Sequence, residues 1–357
     1  VKSAGRLAAV SAGLEDRKID ALLVTGLPNI RYLSGFTGDN AILLAARGRS
    51  ILFTDPRFEI QAAQETSCPV KIAKGPLVVD VAAAIKRLGL KRIGFEPARI
   101  TVQVLKGLSG RLPMRAAMHE TDGWIEQLRM VKSEEEIARI RRSVIVNSQA
   151  FEQAARRVRV GMSEADLAAE LEYRMRRLGA EKPSFETIVA GGARSALPHA
   201  QPTSAKLAGG QLIVVDMGAT VDGYCSDMTR MLFLGEPGPK VKRTYRAVLE
   251  AQLAGVDAVR DGASTSKVDG AARRVLRGYG LDRAFVHSTG HGLGLEIHEP
   301  PRIGRKDKSR LQEGMAVTIE PGVYLEGFGG IRIEDTVVVT RSGCEVLTPT
   351  PKELRVL

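Results

Sequence analysis

The alternation of apolar and polar positions changes character about a third of the way along the chain. Up to residue 111 it switches repeatedly between a helical and a strand period. An amphipathic stretch through about Lys18 leads into the short apolar run ALLVT at 21–25. AILLAA (41–46) and SILFTD (50–55), separated by Arg47, Gly48 and Arg49, read as a hairpin. The alternation continues through a helical 55–66, a strand-like 70–74, a helical 79–89 and the strand-like RIGFE at 92–96. This predicts a compact α/β unit. It holds no glycine-rich phosphate loop and no clustered histidine or cysteine, so its expected role is to shape a cleft or an oligomer contact.

The pattern breaks over 112–132, which holds Pro113, Gly123 and the single tryptophan, Trp124. The expected division is an N-terminal domain over 1–121, a linker over 122–132 and a second domain over 133–357. His119, isolated from the other histidines, is expected to be structural. Ser133 with Glu136 reads as a capping box opening a helix to about Val158, and Ser163 with Asp166 as a second cap for a helix ending at Gly179. Beyond lies a strand-rich region with helices near 239–260 and 264–278.

Composition narrows the class. A chain of 357 residues, 44% hydrophobic, is long enough for two cored domains. The charge of +11 raises the question of nucleic acid. Much of the excess lies in IARIRRSVIV, QAARRVRV, YRMRRLG and AARRVLRG, where basic residues share helical turns with apolar ones. Such runs are expected to be solvated helix faces, and no nucleic-acid module accompanies them. Three widely spaced cysteines, Cys68, Cys225 and Cys344, form no C-x-x-C pair, which fits a reducing compartment. No apolar run approaches the roughly 20 residues that span a bilayer. The N-terminus reads as an amphipathic helix, not a signal peptide. A cytoplasmic protein without membrane or nucleic-acid partners is expected.

Two features carry chemistry. Residues 287–301, HSTGHGLGLEIHEPP, hold three of the five histidines, His287, His291 and His298, while His199 sits in the loop SALPHAQP. Such loops serve as ligand or proton-transfer sites, or simply as satisfied polar turns. The second feature is an internal repeat. GQLIVVDMG (210–218) and GMAVTIEPG (314–322) share a glycine, an apolar run, an acid and a closing glycine. Each leads through a turn to a second strand with another acid, so Asp216 is matched with Asp227 and Glu320 with Glu334. If four such acids converge they repel one another unless cations intervene, and a histidine–carboxylate set suits manganese, iron, cobalt or zinc better than calcium. The alternative is four ordinary strand-end acids at surface turns.

These motifs resemble those of the pita-bread metallopeptidases, family M24, the group of methionine aminopeptidase, aminopeptidase P and prolidase. The resemblance covers nearly the whole chain, with NIRYLSGFTGDNAILL similar to the creatinase-type N-terminal domain. It implies an α/β fold: a creatinase-like N-terminal domain followed by a pseudo-symmetric pita-bread catalytic domain. It also implies a dinuclear centre held by Asp216, Asp227, His291, Glu320 and Glu334. The two divalent ions would be manganese first, with cobalt, zinc or iron as alternatives. Glu320 is then the proton shuttle for a hydroxide formed between the metals, and His199, His298 and His287 are substrate-facing histidines. Arg332 and Tyr224 would lie behind the ligands. Arg302 would clamp a dipeptide's carboxylate or stand as a surface arginine.

The activity implied is hydrolysis of Xaa-Pro bonds in small peptides with proline at the second position, by a homodimer. Arg302 and the short chain favour an Xaa-Pro dipeptidase, with aminopeptidase P as the alternative. A non-catalytic peptide-binding relative would have lost ligands, and none of the five is replaced.

Overall fold

The computed structural model describes residues 3–66 and 68–357; positions 1 and 2 of the expected first helix lie outside them. The chain divides into two units, one ending at Arg129 and the other beginning at Met130.

The first unit is a six-stranded mixed sheet with helices against it. Helix α1 (Ser3–Asp16), strand β1 (Ala21–Val24), helix α2 (Leu27–Ser34) and the hairpin β2 (Ala41–Ala46)–β3 (Arg49–Thr54) open it. Helix α3 (Glu59–Glu65), β4 (Val70–Ile72), α4 (Leu77–Arg87), β5 (Arg92–Phe95), α5 (Val102–Ser109) and β6 (Ala117–Glu120) follow, giving the order β4-β3-β2-β1-β5-β6. Every residue of β1 and β2 is buried. Continuous apolar runs, not alternating ones, follow from a sheet covered on both faces. Helix α5 and edge strand β6 were not read from the pattern; of their apolar residues only Leu108 is fully buried, the others being half-buried or exposed. His119 lies exposed on β6.

The segment expected to be a connection contains a helix, α6 (Trp124–Met130), whose Trp124 and Ile125 are buried. Their large apolar side chains make this segment part of a core.

The second unit begins with α7 (Glu134–Ala155) and α8 (Glu164–Arg177), each opened by the expected reciprocal capping box. Strands β7 (Lys182–Pro183), β8 (Ile188–Gly191), β9 (Leu212–Met217), β10 (Ala219–Val221), β11 (Tyr224–Cys225) and β12 (Met228–Phe233) follow. After α9 (Pro239–Asp257) and α10 (Thr265–Gly278) come β13 (Gly290–Gly292), β14 (Glu299–Ile303), β15 (Ala316–Ile319), β16 (Gly322–Leu325), β17 (Gly329–Arg332) and β18 (Asp335–Val339). Short β19 (Cys344–Val346) and β20 (Arg355–Val356) close the chain. One apolar layer packs α7 and α8 on β8, β9 and β12, and another packs α9 and α10 on the opposite side.

The repeat seen in the sequence is a repeat in space. β9 pairs antiparallel with β12, and β15 with β18 in the equivalent way. Between the arms of each pair lies a small hairpin, β10–β11 in the first and β16–β17 in the second. Asp216 and Glu320 stand at the ends of the first arms; Asp227 and Glu334 stand immediately before the second. Among the described residues no helix is long and apolar enough to cross a membrane.

Candidate metal centre

His291 is delivered by a strand almost devoid of side chains. β13 lies between β14 and β15, and a Cβ on Gly290 would stand 1.9 Å from the Thr318 carbonyl oxygen, one on Gly292 2.3 Å from that of Pro300. Glycine is required for this close approach, which accounts for the glycines flanking His291. The His291 Nδ1 sits 3.0 Å from the Gly292 carbonyl oxygen. A carbonyl only accepts, so Nδ1 carries the proton and Nε2 presents its lone pair. That lone pair faces carboxylates, with Nε2 3.6 Å from Asp227 Oδ2 and 3.4 Å from Glu320 Oε1.

Ligand atoms of Asp227, His291 and Glu334 lie within 4.8 Å of one another. Asp216 and Glu320 line the same cleft of about 830 Å³. Two buried oxygens, Asp216 Oδ1 and Glu334 Oε1, accept no hydrogen bond. Buried acceptors are normally satisfied, and leaving one bare costs about 1–3 kcal/mol. Bare oxygens and an imidazole lone pair converging on one space are what a divalent cation requires. The donor set fits a metal.

The other lone pairs are held by an ordered relay. Arg332 Nη2 donates to Asp216 Oδ2 at 2.6 Å, and its Nε donates to Thr229 Oγ1 at 2.9 Å. Thr229 passes its own proton to Glu334 Oε2 at 2.8 Å. Arg332 Nη1 donates to the Tyr324 hydroxyl oxygen at 2.6 Å, which leaves that hydroxyl to donate to His287 Nε2 at 2.9 Å. His287 Nδ1 then donates to the Ser288 carbonyl at 2.8 Å. The directions are forced from end to end because arginine cannot accept.

Electrostatics follow from this burial. In the polypeptide alone, burial pushes Asp227 and Glu334 well above the ordinary carboxylate range, and the neighbouring carboxylates add to it. Burial also lifts Glu320 to about 8, against the opposing pull of Arg332. His287 is held down to about 4, first by burial and then by Arg332, so it is a neutral imidazole. Burial likewise lowers His291 and His298.

His199, His287, His298, Arg302 and Arg332 all line the cleft; His199, His298 and Arg302 are exposed at its surface. Tyr224 is elsewhere: it is buried, and its hydroxyl donates to Glu136 Oε1 at 2.8 Å on α7. The adjacent His298–Glu299 step is anchored by a buried pair, Lys132 Nζ to Glu299 Oε2 at 3.2 Å.

Several contributors were not foreseen. Thr229 and Tyr324 complete the relay. Behind Glu334, the buried Arg230 donates to the Glu334 carbonyl at 2.5 Å and pairs with Asp335 at 2.8 Å. On α10, Arg273 pairs with Asp269 at 2.8 Å and donates to the carbonyls of Phe285 and His287. Asp269 also accepts from Thr289, whose carbonyl receives the Glu320 N–H at 2.7 Å. Arg273 belongs to AARRVLRG, read as a solvated face; it is buried, while its neighbour Arg274 is exposed. Asp269 sits four residues earlier, the one signal that could have marked the pair.

The model of metallopeptidase family M24 matches residues 138–341, a span holding all five donors. The chain belongs to family M24. The creatinase/prolidase N-terminal domain model matches residues 6–131, so this M24 member carries a creatinase-type N-terminal domain before its pita-bread unit. An Xaa-Pro dipeptidase of Pyrococcus horikoshii is 37% identical over 344 residues, 96% of each chain. Among solved structures, an Xaa-Pro dipeptidase from Bacillus anthracis superposes with a TM-score of 0.97 at 37% identity over 100% of both chains. An X-Pro aminopeptidase from Thermotoga maritima does so with a TM-score of 0.90 at 39% identity, over 95% of this chain and 98% of its own. The M24 member described here is a peptidase by family, with a carboxylate–histidine site suited to divalent metal.

Proposed function

We propose that this chain is an Xaa-Pro dipeptidase working with two divalent ions, manganese first and cobalt, zinc or iron as alternatives. The observation that carries the proposal is the convergence of bare carboxylate oxygens with the His291 lone pair. Asp216, Asp227, His291, Glu320 and Glu334 would hold the ions. When bound, divalent cations supply Lewis acidity, which acidifies water and polarises a carbonyl.

The protein's own groups do the rest. Glu320 takes a proton from the attacking water and returns it to the leaving nitrogen, the step its position beside His291 supports. His199 and His298 donate hydrogen bonds where negative charge develops on the scissile oxygen. His287, kept neutral and oriented by Tyr324, faces the proline side. Arg302 pairs with the dipeptide's carboxylate. An Xaa-Pro bond calls for such a site because its nitrogen bears no hydrogen for strand-like recognition. The accompanying proposals are an N-terminal domain over 1–121 and a catalytic domain over 133–357, with the linking segment 122–132 containing the packed helix α6, in a cytoplasmic homodimer. Three unpaired cysteines support the reducing compartment.

A second reading, X-Pro aminopeptidase, is favoured by the Thermotoga maritima structure and by the roomy cleft. Proline release from Ala-Pro, compared with alanine release from Ala-Pro-Ala, tests both in metal-stripped enzyme with manganese, cobalt or zinc restored. The dipeptidase proposal expects metal-dependent cleavage mainly of Ala-Pro, with the uncharged tripeptide a poor substrate. Cleavage mainly of the tripeptide would replace it with the aminopeptidase, and inertness on both with metal loaded would overturn Xaa-Pro specificity.

A further inference from the structure

A second hollow, of about 630 Å³, opens beside the cleft and shares His287, Ser288, Arg302 and Asp307 with it. Its remaining wall is strongly basic. Arg283, Arg305 and Lys306 line it together with Arg302, and all four are exposed. Among the described residues none of the four makes an ion pair. The two acids of the hollow are already engaged. Asp282 faces Arg277 at 3.6 Å, and Asp307 accepts from Thr265 Oγ1 at 3.0 Å and from the Ser309 N–H at 2.7 Å. The stretch 302–310, RIGRKDKSR, has five cations to one acid, so the positive field is concentrated here and not spread along a helix.

The partition between hollow and cleft is a fixed one. Arg273, itself buried and paired with Asp269, grips the carbonyls of Phe285 and His287 on that partition. Because Arg302 lines both spaces, a peptide whose proline carboxyl end reaches it would extend its following residues into the basic hollow. This direction rests on the Xaa-Pro reading given above.

We infer that the hollow is a binding subsite for acidic residues following the proline, so that among longer Xaa-Pro peptides those continuing with Glu or Asp are taken first. The chemistry is the same hydrolysis. Water's oxygen bonds to the Xaa carbonyl carbon as the C–N bond breaks, and the proton goes to the proline nitrogen. The products are the free amino acid and a peptide beginning with proline.

The test uses the full chain and the triple variant Arg283→Gln, Arg305→Gln, Lys306→Gln, whose altered side chains are exposed and lie outside the ligand shell. Fluorescence anisotropy would follow Pro-Glu-Glu-Glu and Pro-Lys-Lys-Lys, each with a C-terminal fluorophore, at low and high salt. In parallel, kcat/KM would be measured for Ala-Pro-Glu-Glu, Ala-Pro-Lys-Lys and Ala-Pro with manganese-loaded enzyme. The acidic peptides should win by about tenfold at low salt, an advantage that shrinks with added salt and falls to within about twofold in the variant. Ala-Pro cleavage should be unchanged. Equal binding of the two labelled peptides, a preference that survives the triple substitution, or tighter binding of an oligonucleotide of equal charge would overturn the subsite. If no peptide is cleaved, Ala-Pro included, it is the Xaa-Pro reading that fails, and the anisotropy still decides the hollow.

Discussion

Each unit of the molecule buries carboxylates, and the two treat them oppositely. In the first unit both oxygens of Glu96 are occupied: the Thr25 and Gly26 N–H groups donate to Oε2 at 2.7 and 2.9 Å, and Asn29 donates to Oε1 at 2.5 Å. Glu126 accepts from Asn29 at 2.8 Å and from Arg99 at 3.1 Å. In the second unit four carboxylates converge, and Asp216 Oδ1 and Glu334 Oε1 are left bare. A satisfied cluster holds a fold together; a cluster with convergent bare oxygens holds the fold ready for something else. Burial and charge alone do not separate structure from function. The accounting of lone pairs does.

The largest break in that contrast should come from Glu320→Gln, which removes the proton carrier while keeping size and shape. Activity on Ala-Pro should fall by about 10² to 10⁴-fold even at saturating manganese, with full metal loading checked by elemental analysis because Glu320 is also a proposed ligand. A loss under threefold would remove Glu320 from proton transfer.

The next concerns pH and metal. Glu320 has its pKa lifted from 4.5 to about 8 in the metal-free chain, and Asp227 and Glu334 are shifted the same way. Up to about pH 6.5 the lowered His287, His291 and His298 act the opposite way; above it the native state binds more protons than the unfolded state, so stability falls as pH rises. Metal-stripped protein should melt at a progressively lower temperature from about pH 6.5 to pH 8. Saturating manganese should abolish that trend and raise the melting temperature most at pH 8. A metal-free Tm that rises over this range would refute the assignment of strain to these carboxylates.

Arg332→Lys sharpens the comparison, since lysine keeps the charge and loses the fork that serves Asp216, Thr229 and Tyr324 at once. Activity or metal affinity should drop by about 10 to 100-fold. The smallest catalytic effect is expected for Glu96→Gln. It should lower stability by about 1–3 kcal/mol, because the Gln amide cannot match the three donors that Glu96 accepts. Activity at a temperature where the fold is intact should stay within about twofold of the parent. A catalytic loss there as large as that of Arg332→Lys would erase the distinction between the two clusters.

The five donors were legible in the sequence because each sits in a local signal: an acid ending an apolar strand, repeated at matching register, and a histidine flanked by glycines. Their convergence was an inference from the repeat, and the matched pairing of β9–β12 and β15–β18 is its physical basis. The groups that orient the donors were not legible. Thr229 carries no local mark beyond its nearness to Asp227, and Tyr324 reaches the site only through the β16–β17 hairpin. Arg273 was misread because an arginine in a basic helical run carries the same pattern whether its partner is solvent or a buried aspartate. Periodicity finds the face of a helix; it does not tell which cation on that face has been drawn inside.

The glycines of β13 have one more consequence. A Cβ at 290 or 292 would stand 1.9 Å or 2.3 Å from a backbone oxygen, so neither position admits a side chain, whereas residue 291 between them already carries one into the cleft. A library randomised over these three codons should therefore separate cleanly: variants at the outer two lost from the soluble fraction, variants at the middle one recovered folded but inert. Folding and function, usually entangled in a buried segment, would then be inherited on alternate letters of the same short word.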